Sequence, residues 1–495
     1  MGLLNELLRC REALSGKHYN RAEIKKSIIQ NNIYGVDIEK GAVDIARLRF
    51  WLSIVVDEDT PSPLPNLDYK IMQGNSLLES FMGVDLSKLT YEKESKNDKG
   101  EISLFDDEKN RLQKTVSHLL TSYFSCFDHD KKVKLQQDIS DTINKQLEAQ
   151  AYDATILQEL KNINLAENNK FFLWHTWFSD VFNRDDDKNG FDIVIGNPPY
   201  GVSIKGEYRK SIVDILGKVP DYEIYYYFIE CAKFLCKESG ILSYIIPNTW
   251  LFNTYAAKYR MNLFSNWTLI EILDCTKFPI FDSATVLNSI ITWQYKKDIT
   301  NNIGYRNTHY AKSFKELIAN PRLFIHKEDI LKMNQNWGLA FFLEKKVKAV
   351  IDKISDTPYH ICDYFDCSQG YIPYRLSDLI KTYGFDIGQK IKKERLWHSK
   401  VKTSEFFIQE IYGKDITKYT YNATGDYVKY GKHVACYVNL DFFTLPRLLV
   451  REITNPTIIA CYVDVPFIND PQLLPIINKK IIKFILFLKS ATYRV

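Results

Sequence analysis

A run of β-formers, Phe191 to Ile195, stops at Gly196 and is followed by Asn197, Pro198, Pro199 and Tyr200. No other stretch narrows the possible folds as much. The run reads as a buried strand, and proline fixes φ and lacks an N–H, so two in succession make a rigid extended turn. The prolines free the adjoining carbonyls from sheet pairing. The side-chain oxygen of Asn197 and the carbonyl of Pro198 are then expected to face one point beyond the strand. Tyr200 supplies a flat face beside them. Two acceptors converging on one spot suit an –NH₂ group with two donors, so the corner reads as a grip for a planar group with an exocyclic amine.

The flanking segments give the corner a setting. "IIQNNIYGVDI", Ile28 to Ile38, reads as a helix end, a turn and a buried strand ending at Asp37. "KGAVDIARLRFWLSIVV" follows as a helix whose Val43, Ala46, Leu48, Trp51, Leu52 and Val55 cover the sheet. "YKIMQGNSLL" is a second short strand ending in Gly74-Asn75-Ser76. Strand, helix, strand with polar residues at the strand C-termini predicts a doubly wound α/β sheet, in which ligands sit at the carboxyl ends. Between residues 90 and 169 charged residues dominate. Leu112, Val116, Leu119, Leu120 and Tyr123, then Val133, Ile139, Ile143 and Leu147, recur at helical spacing and predict a helical hairpin inserted into the sheet domain. The α/β pattern resumes from 170 with a helix over Tyr225–Cys236 and strands in "GILSYIIPNTW", "LIEILDC" and "NSIITWQYK". Past 297 the texture turns to short aromatic-rich strands. The expected domains are 1–89 with 170–297, the insertion 90–169, and a mixed α+β domain over 298–495.

A chain of 495 residues has room for two or three such domains. "MGLLNELLRCREAL" lacks a basic leader region. The apolar "IIKFILFLKSATYRV" is too short and too broken by lysines to span a bilayer. Nine cysteines without a C-x-x-C pair argue against a zinc site and for reduced thiols in the cytoplasm. Residues 301–495 carry 29 Lys+Arg against 19 Asp+Glu, and residues 1–300 carry 36 against 42. A basic half joined to an acidic half suggests a polyanionic partner.

With these residues in place, the chain resembles the amino-methyltransferases that use S-adenosylmethionine. More specifically, it resembles the gamma-class N6-adenine DNA methyltransferases, including those fused into type IIG restriction–modification enzymes. The resemblance covers residues 1–297 and, more loosely, the remainder. It implies a Rossmann-like methyltransferase sheet followed by a target-recognition domain, with double-stranded DNA as partner, S-adenosylmethionine as cofactor, no metal, no membrane and a monomeric state. Asn197, Pro198, Pro199 and Tyr200 match the catalytic D/N-P-P-Y/F motif, in which the target amine donates to the Asn side chain and the first proline carbonyl. The adenine would have to leave the duplex, at about a few kcal/mol of unstacking. "IYGVDI" resembles the strand that binds the cofactor ribose, which assigns Asp37 and its neighbour Ile38. "GNSLL" resembles the motif that meets the cofactor adenine, which assigns Asn75 and Ser76, although many relatives have Asp there. "FPIFDSATVLNSIIT" resembles the motif whose aromatic residue packs on the flipped base, giving Phe281 first and Phe278 second. In the recognition domain, Lys414, Lys418, Arg447 and Arg451 become candidates for phosphate contacts. Tyr371 and Tyr374 are groove candidates for which a core role is the stronger expectation.

One family element has no match. The methionine end of the cofactor is normally held by an Asp-Pro-Ala-Cys-Gly-Ser-Gly type loop, yet no two of the 21 glycines are separated by one residue. "MGLLNELLRCREAL" resembles the helix that follows that loop. The resemblance therefore implies an enzyme truncated at its N-terminus, with an open slot in its sheet. Three functions are consistent with this reading: a site-specific adenine-N6 DNA methyltransferase, a methyltransferase of RNA bases or protein glutamine amides, and a catalytically inactive DNA-binding fragment.

Overall fold

The computed structural model describes residues 1–15, 20–89, 104–150, 152–184, 188–220, 223–278, 280–281, 286–308, 311–333, 336–341, 345–453 and 457–479. The chain divides into two compact units, Met1–Lys348 and Ala349–Val495.

The first unit opens with helices α1 (Gly2–Ser15) and α2 (Arg21–Asn32), then β1 (Gly35–Asp37), α3 (Lys40–Val55) and β2 (Ile71–Gln73). Strands β1 and β2 pair in parallel, with Asp37 opposite Gln73. Helix α3 forms where expected but is rotated. It buries Val43, Phe50 and Ile54, whereas Leu48, Leu52 and Val55 are about half exposed. The cause is Arg47, whose guanidinium donates to the carbonyls of Ile71 (2.9 Å) and Asp68 (3.0 Å). Those bonds fix which side of α3 meets β2 and turn the large ring of Phe50 inward.

A short hairpin, β3 (Ser80–Phe81) and β4 (Val84–Asp85), leads to the insertion. The insertion contains the helical hairpin that the spacing predicted, α4 (Leu104–Phe124) and α5 (His129–Ala149), followed by α6 (Ala154–Lys161). Val116, Ile139, Ile143 and Leu147 are buried. Asp128 caps α5 by accepting from the Lys131 amide at 3.0 Å. The start of the insertion, residues 90–103, lies outside the described residues.

Two single-turn helices, α7 (Trp174–Trp177) and α8 (Ser179–Phe182), precede β5 (Phe191–Gly196). Helices α9 (Gly206–Leu216) and α10 (Tyr225–Leu235) follow, then β6 (Cys236–Pro247), β7 (Thr268–Asp274), β8 (Asn288–Gln294), β9 (Asn302–Asn307) and β10 (Leu323–His326). These six strands form one sheet in the order β10-β9-β7-β8-β6-β5. Only β5–β6 and β7–β9 are parallel. β8 runs antiparallel to both of its neighbours. The expectation of a single, mostly parallel sheet is corrected accordingly: there is a mixed six-stranded sheet and a separate parallel pair. The sheet also runs on through β9 and β10, past residue 297, so those residues belong to the first unit.

Trp250, Trp267, Trp293 and Trp337 are all buried in the main core. Tyr34, just ahead of β1, sets its ring edge-on to Phe191 at 5.5 Å. The two sheets thus share one core at the amino ends of β1 and β5. Among the described residues β5 pairs only with β6, and its Ile193 and Ile195 are 47% and 63% exposed.

The second unit is built on two four-stranded sheets. One has the order Phe365–Cys367, Leu473–Asn478, Arg447–Arg451, Ala460–Val463. The other runs His398–Ser399, Tyr427–Lys429, Phe407–Ile411, Ile468–Asn469. Leu449, Val463 and Leu473 centre one small core. Tyr371, Val428, Phe443 and Ile468 centre another. The apolar C-terminal stretch, residues 480–495, lies outside the described residues. Among the described residues, all nine cysteines are free, no helix is long and apolar enough to cross a membrane, and no cluster of three His, Cys, Asp or Glu side chains is placed to hold a metal.

The exposed row on β5 gives a first test. A free apolar strand edge promotes association, whereas a surface substitution changes stability by only about 0.5 kcal/mol. Ile195→Lys is expected to reduce self-association in sedimentation and to leave thermal unfolding nearly unchanged. A large loss of stability would show that this edge is covered.

Candidate active site at the Asn-Pro-Pro-Tyr corner

β5 ends where the sequence places its end. Gly196 lies opposite Tyr244 of β6 in a parallel ladder. Beyond it Asn197 is exposed, Pro198 is buried, Pro199 is exposed and Tyr200 is half-buried against the core. The Asn197 carboxamide makes no hydrogen bond among the described residues, so both its oxygen and its NH₂ are open to a ligand. The backbone turns sharply at Gly201, where φ is +73°. Left-handed backbone of this kind favours glycine. The Gly201 amide donates to the Glu223 carboxylate at 2.7 Å.

Asp37 stands at the carboxyl end of β1, exposed. One carboxylate oxygen accepts from the Glu39 amide at 2.9 Å. Its carbonyl accepts from the Gly74 amide at 2.9 Å, which ties the ends of β1 and β2 together. Ile38 is 47% exposed, and its carbonyl accepts from Gln73. Asn75 follows β2 and is buried. Its carboxamide is already engaged: the oxygen accepts from the Leu77 amide (3.2 Å) and the NH₂ donates to the Tyr208 hydroxyl of α9 (3.2 Å). Ser76 contributes its carbonyl to the Trp174 indole N–H and the Cys231 thiol.

A cavity of about 390 Å³ opens beside Ser76 and Leu77, lined also by Trp174, His175 and Ser211. Neither Asp37 nor Asn197 lines it. On its wall His175 pairs with Glu79 at 2.8 Å. Burial works against charge on His175, but Glu79 and Asp85 outweigh it and hold its pKa above the ordinary imidazole value.

The remaining sequence candidates separate. Phe278 and Phe281 are half-buried, and the loop residues 282–285 beside Phe281 lie outside the described residues. Lys414 and Lys418 in the second unit are exposed and sit over the rings of Tyr412 and Tyr419. Arg451 is half-buried. Arg447 is a correction: it is 2% exposed and donates inward to the carbonyls of Leu445 (2.9 Å) and Phe467 (3.2 Å). Burial pushes its pKa down to about 10. A guanidinium spent on interior carbonyls cannot meet a phosphate. Tyr371 takes the core role, fully buried with its hydroxyl bonded to Glu410 at 2.9 Å, whereas Tyr374 is half-buried and stacks on Trp397. Sequence reasoning missed Tyr208 and Glu223. Nothing in the sequence marks the first. The second had one signal, an acid two residues ahead of a helix that opens on the aromatic run Tyr225 to Phe228.

Residues 31–281 match the model of the Eco57I restriction-modification methylase. The match takes in more than half of the chain, and the protein belongs to that family of restriction–modification methylases. Over 480 residues it is 25% identical to the putative type II restriction enzyme and methyltransferase RM.MjaORFECS2P of Methanocaldococcus jannaschii, covering 87% of this chain and 38% of that protein. Over 74 residues it is 36% identical to the type II methyltransferase M.TthHB8I of Thermus thermophilus, covering 12% of this chain and 17% of the relative. A third relative, the tRNA1(Val) (adenine(37)-N6)-methyltransferase of Christiangramia forsetii, is 24% identical over 179 residues, covering 35% of this chain and 69% of the relative. The chain therefore spans less than half the length of either type II relative.

Gly74 supplies the test of this geometry. A Cβ there would stand 2.8 Å from the Phe172 Cβ, and Phe172 is held against Trp174 and Phe178. Gly74→Ala is expected to cost about 1–3 kcal/mol, the usual penalty of overpacking, in chemical denaturation. Unchanged stability would show that the β2 exit is loosely packed.

Proposed function

We propose that this protein is a DNA methyltransferase that moves a methyl group from S-adenosylmethionine to the N6 amine of an adenine turned out of the duplex. The observation that carries the reading is the free, exposed Asn197 carboxamide at the end of β5, beside a proline pair and the half-buried Tyr200. Family membership supports methyl transfer, the type II relatives support DNA as substrate, and the name of the tRNA relative supports an adenine N6 amine.

In this reading Asn197 and the Pro198 carbonyl accept the two N–H bonds of the amine, and the Tyr200 ring lies against the base. Both acceptors draw the amine toward a geometry in which its lone pair is available. As the new N–C bond would form and the methyl carbon's bond to its sulfonium donor would break, positive charge would pass to the nitrogen and strengthen its N–H donors, so the two acceptors would bind the transition state better than the ground state. The nitrogen would then release one proton to solvent water, leaving a neutral N-methyl amine. The residues present fit the nucleoside part of the cofactor. Asp37 offers an exposed carboxylate for ribose hydroxyls, and Asn75 offers a carboxamide for adenine once Tyr208 moves. The cofactor itself supplies an activated methyl group.

For DNA contacts the reading rests on Lys414, Lys418 and Arg451. The second unit carries 20 Lys+Arg against 15 Asp+Glu, a smaller basic excess than that of residues 301–495. Much of the basic excess lies in residues that belong to the first unit.

Two measurements test the proposal. Asn197→Ala is expected to lower methyl incorporation into duplex DNA by about 10²–10³-fold, the usual loss for one positioned polar group, with cofactor and DNA binding retained. Full activity in the variant, or no incorporation by the unaltered chain, would overturn the assignment. Replacing Lys414 and Lys418 together by alanine should reduce the log–log salt slope of DNA binding by about 2, near 0.9 per phosphate contact. An unchanged slope would remove both from the interface.

A further inference from the structure

The Asn-Pro-Pro-Tyr corner needs an anchor that its own sequence withholds. Pro198 and Pro199 have no N–H, so neither can be fastened through a backbone donor. The anchor comes just beyond, at the exit of the corner. The Gly201 amide donates to Oε2 of Glu223 at 2.7 Å, and the Val202 carbonyl accepts from the Ile224 amide at 3.2 Å. Among the described residues no atom beyond its chain neighbours lies within 4 Å of the place a Gly201 Cβ would take. Pro198 is buried and Tyr200 packs on the core, but the backbone at Gly201 itself is held by these two hydrogen bonds. Their far end is rigid. Glu223 and Ile224 run directly into α10, whose Tyr225, Tyr226 and Tyr227 are fully buried.

We propose that Glu223 is a positioning residue: its carboxylate pins the Gly201 amide and thereby sets where Tyr200 and the Pro198 carbonyl stand relative to the incoming amine. The inference rests on the methyl-transfer reading above. It competes with a simpler role, since a negative charge just ahead of a helix is favourable for the helix alone. The direction of the side chain separates them. The amide that meets the Glu223 carboxylate belongs to Gly201, across the turn, whereas the amide of Tyr226 in α10 meets only the Glu223 main-chain carbonyl, at 3.4 Å. A carboxylate accepting a backbone N–H is a charge-assisted bond, stronger and more directional than a neutral one.

A pair of substitutions decides between them. Glu223→Gln keeps the length and an acceptor oxygen but removes the charge. Glu223→Asp keeps the charge but withdraws the acceptor by one methylene. Positioning predicts that Glu223→Gln retains turnover within about threefold. It also predicts that Glu223→Asp loses about 10–100-fold in kcat, the order of loss expected when a reacting group is displaced by about 1 Å, with KM for DNA and cofactor within twofold of the unaltered protein. A helix-charge role predicts the reverse order. That order, or an effect confined to KM, would overturn the proposal. Hydrogen exchange of the Gly201 amide in the full chain reads the clamp without turnover: protection should survive in Glu223→Gln and fall at least tenfold in Glu223→Asp. Equal protection in all three proteins would overturn the proposal. If the unaltered protein transfers no methyl group, the methyl-transfer reading fails, and the exchange measurement still decides whether Glu223 holds the corner.

Discussion

The parallel ladder from Ile193–Gly196 to Ile241–Tyr244 holds the Asn197 corner in space. β5 has no other strand partner among the described residues, so its exit borrows rigidity from β6. That strand is well placed to lend it. Its second edge is paired to β8 from Ile241 through Pro247, and the stack beneath is filled by Trp250, Trp267 and Trp293. Gly196 brings the corner close over the buried Tyr244 ring, since a Cβ there would stand 3.1 Å from the ring edge. Weakening this one ladder would release the corner even if every residue in it were intact.

The strands that lead to Asp37 and Asn75 are tied to the main sheet by a different kind of connection. Their strands form a separate parallel pair, joined to the main sheet through side chains and not through a ladder. Tyr34 packs on Phe178 and Phe191, its hydroxyl bonds Asp180, and the Lys70 ammonium lies 4.0 Å above its ring. At the opposite ends of the strands, Tyr208 of α9 meets Asn75. Edge-to-face rings and single hydrogen bonds give way more easily than a run of backbone pairs. The join between the β1–β2 pair and the main sheet is accordingly softer than the β5–β6 ladder.

Much of this was legible in the sequence. The strand ending at Gly196, the helix that begins at Tyr225, the strands at Cys236–Pro247 and Asn288–Gln294 and the helical hairpin of the insertion all follow from periodicity and from proline and glycine punctuation. What escaped was set by contacts between distant residues. The face of α3 was misjudged because Arg47 reaches β2 through its guanidinium, and periodicity does not register a polar side chain used for docking. Arg447 stands among the phosphate-contact candidates in the sequence because its true partners, the carbonyls of Leu445 and Phe467, include one twenty residues away. The antiparallel pairing of β8 with both neighbours, and the extension of the sheet through β9 and β10, depend on strand order, which local patterns do not carry. At the site, the corner and the polar ends of β1 and β2 stood out, while Tyr208 and Glu223 became visible only once α9 and α10 were placed.

The bond between Asn75 and Tyr208 bears on the tempo of recognition. In the proposed reading, a purine edge that claimed the Asn75 NH₂ group would exchange one hydrogen bond for another, so that contact would add little net free energy. Selectivity at this position comes from shape and from the acceptor left behind. The Tyr208 hydroxyl would have to leave Asn75 before that exchange. Where that departure is the slow step, association at rising ligand concentration would level off at its rate instead of climbing without limit.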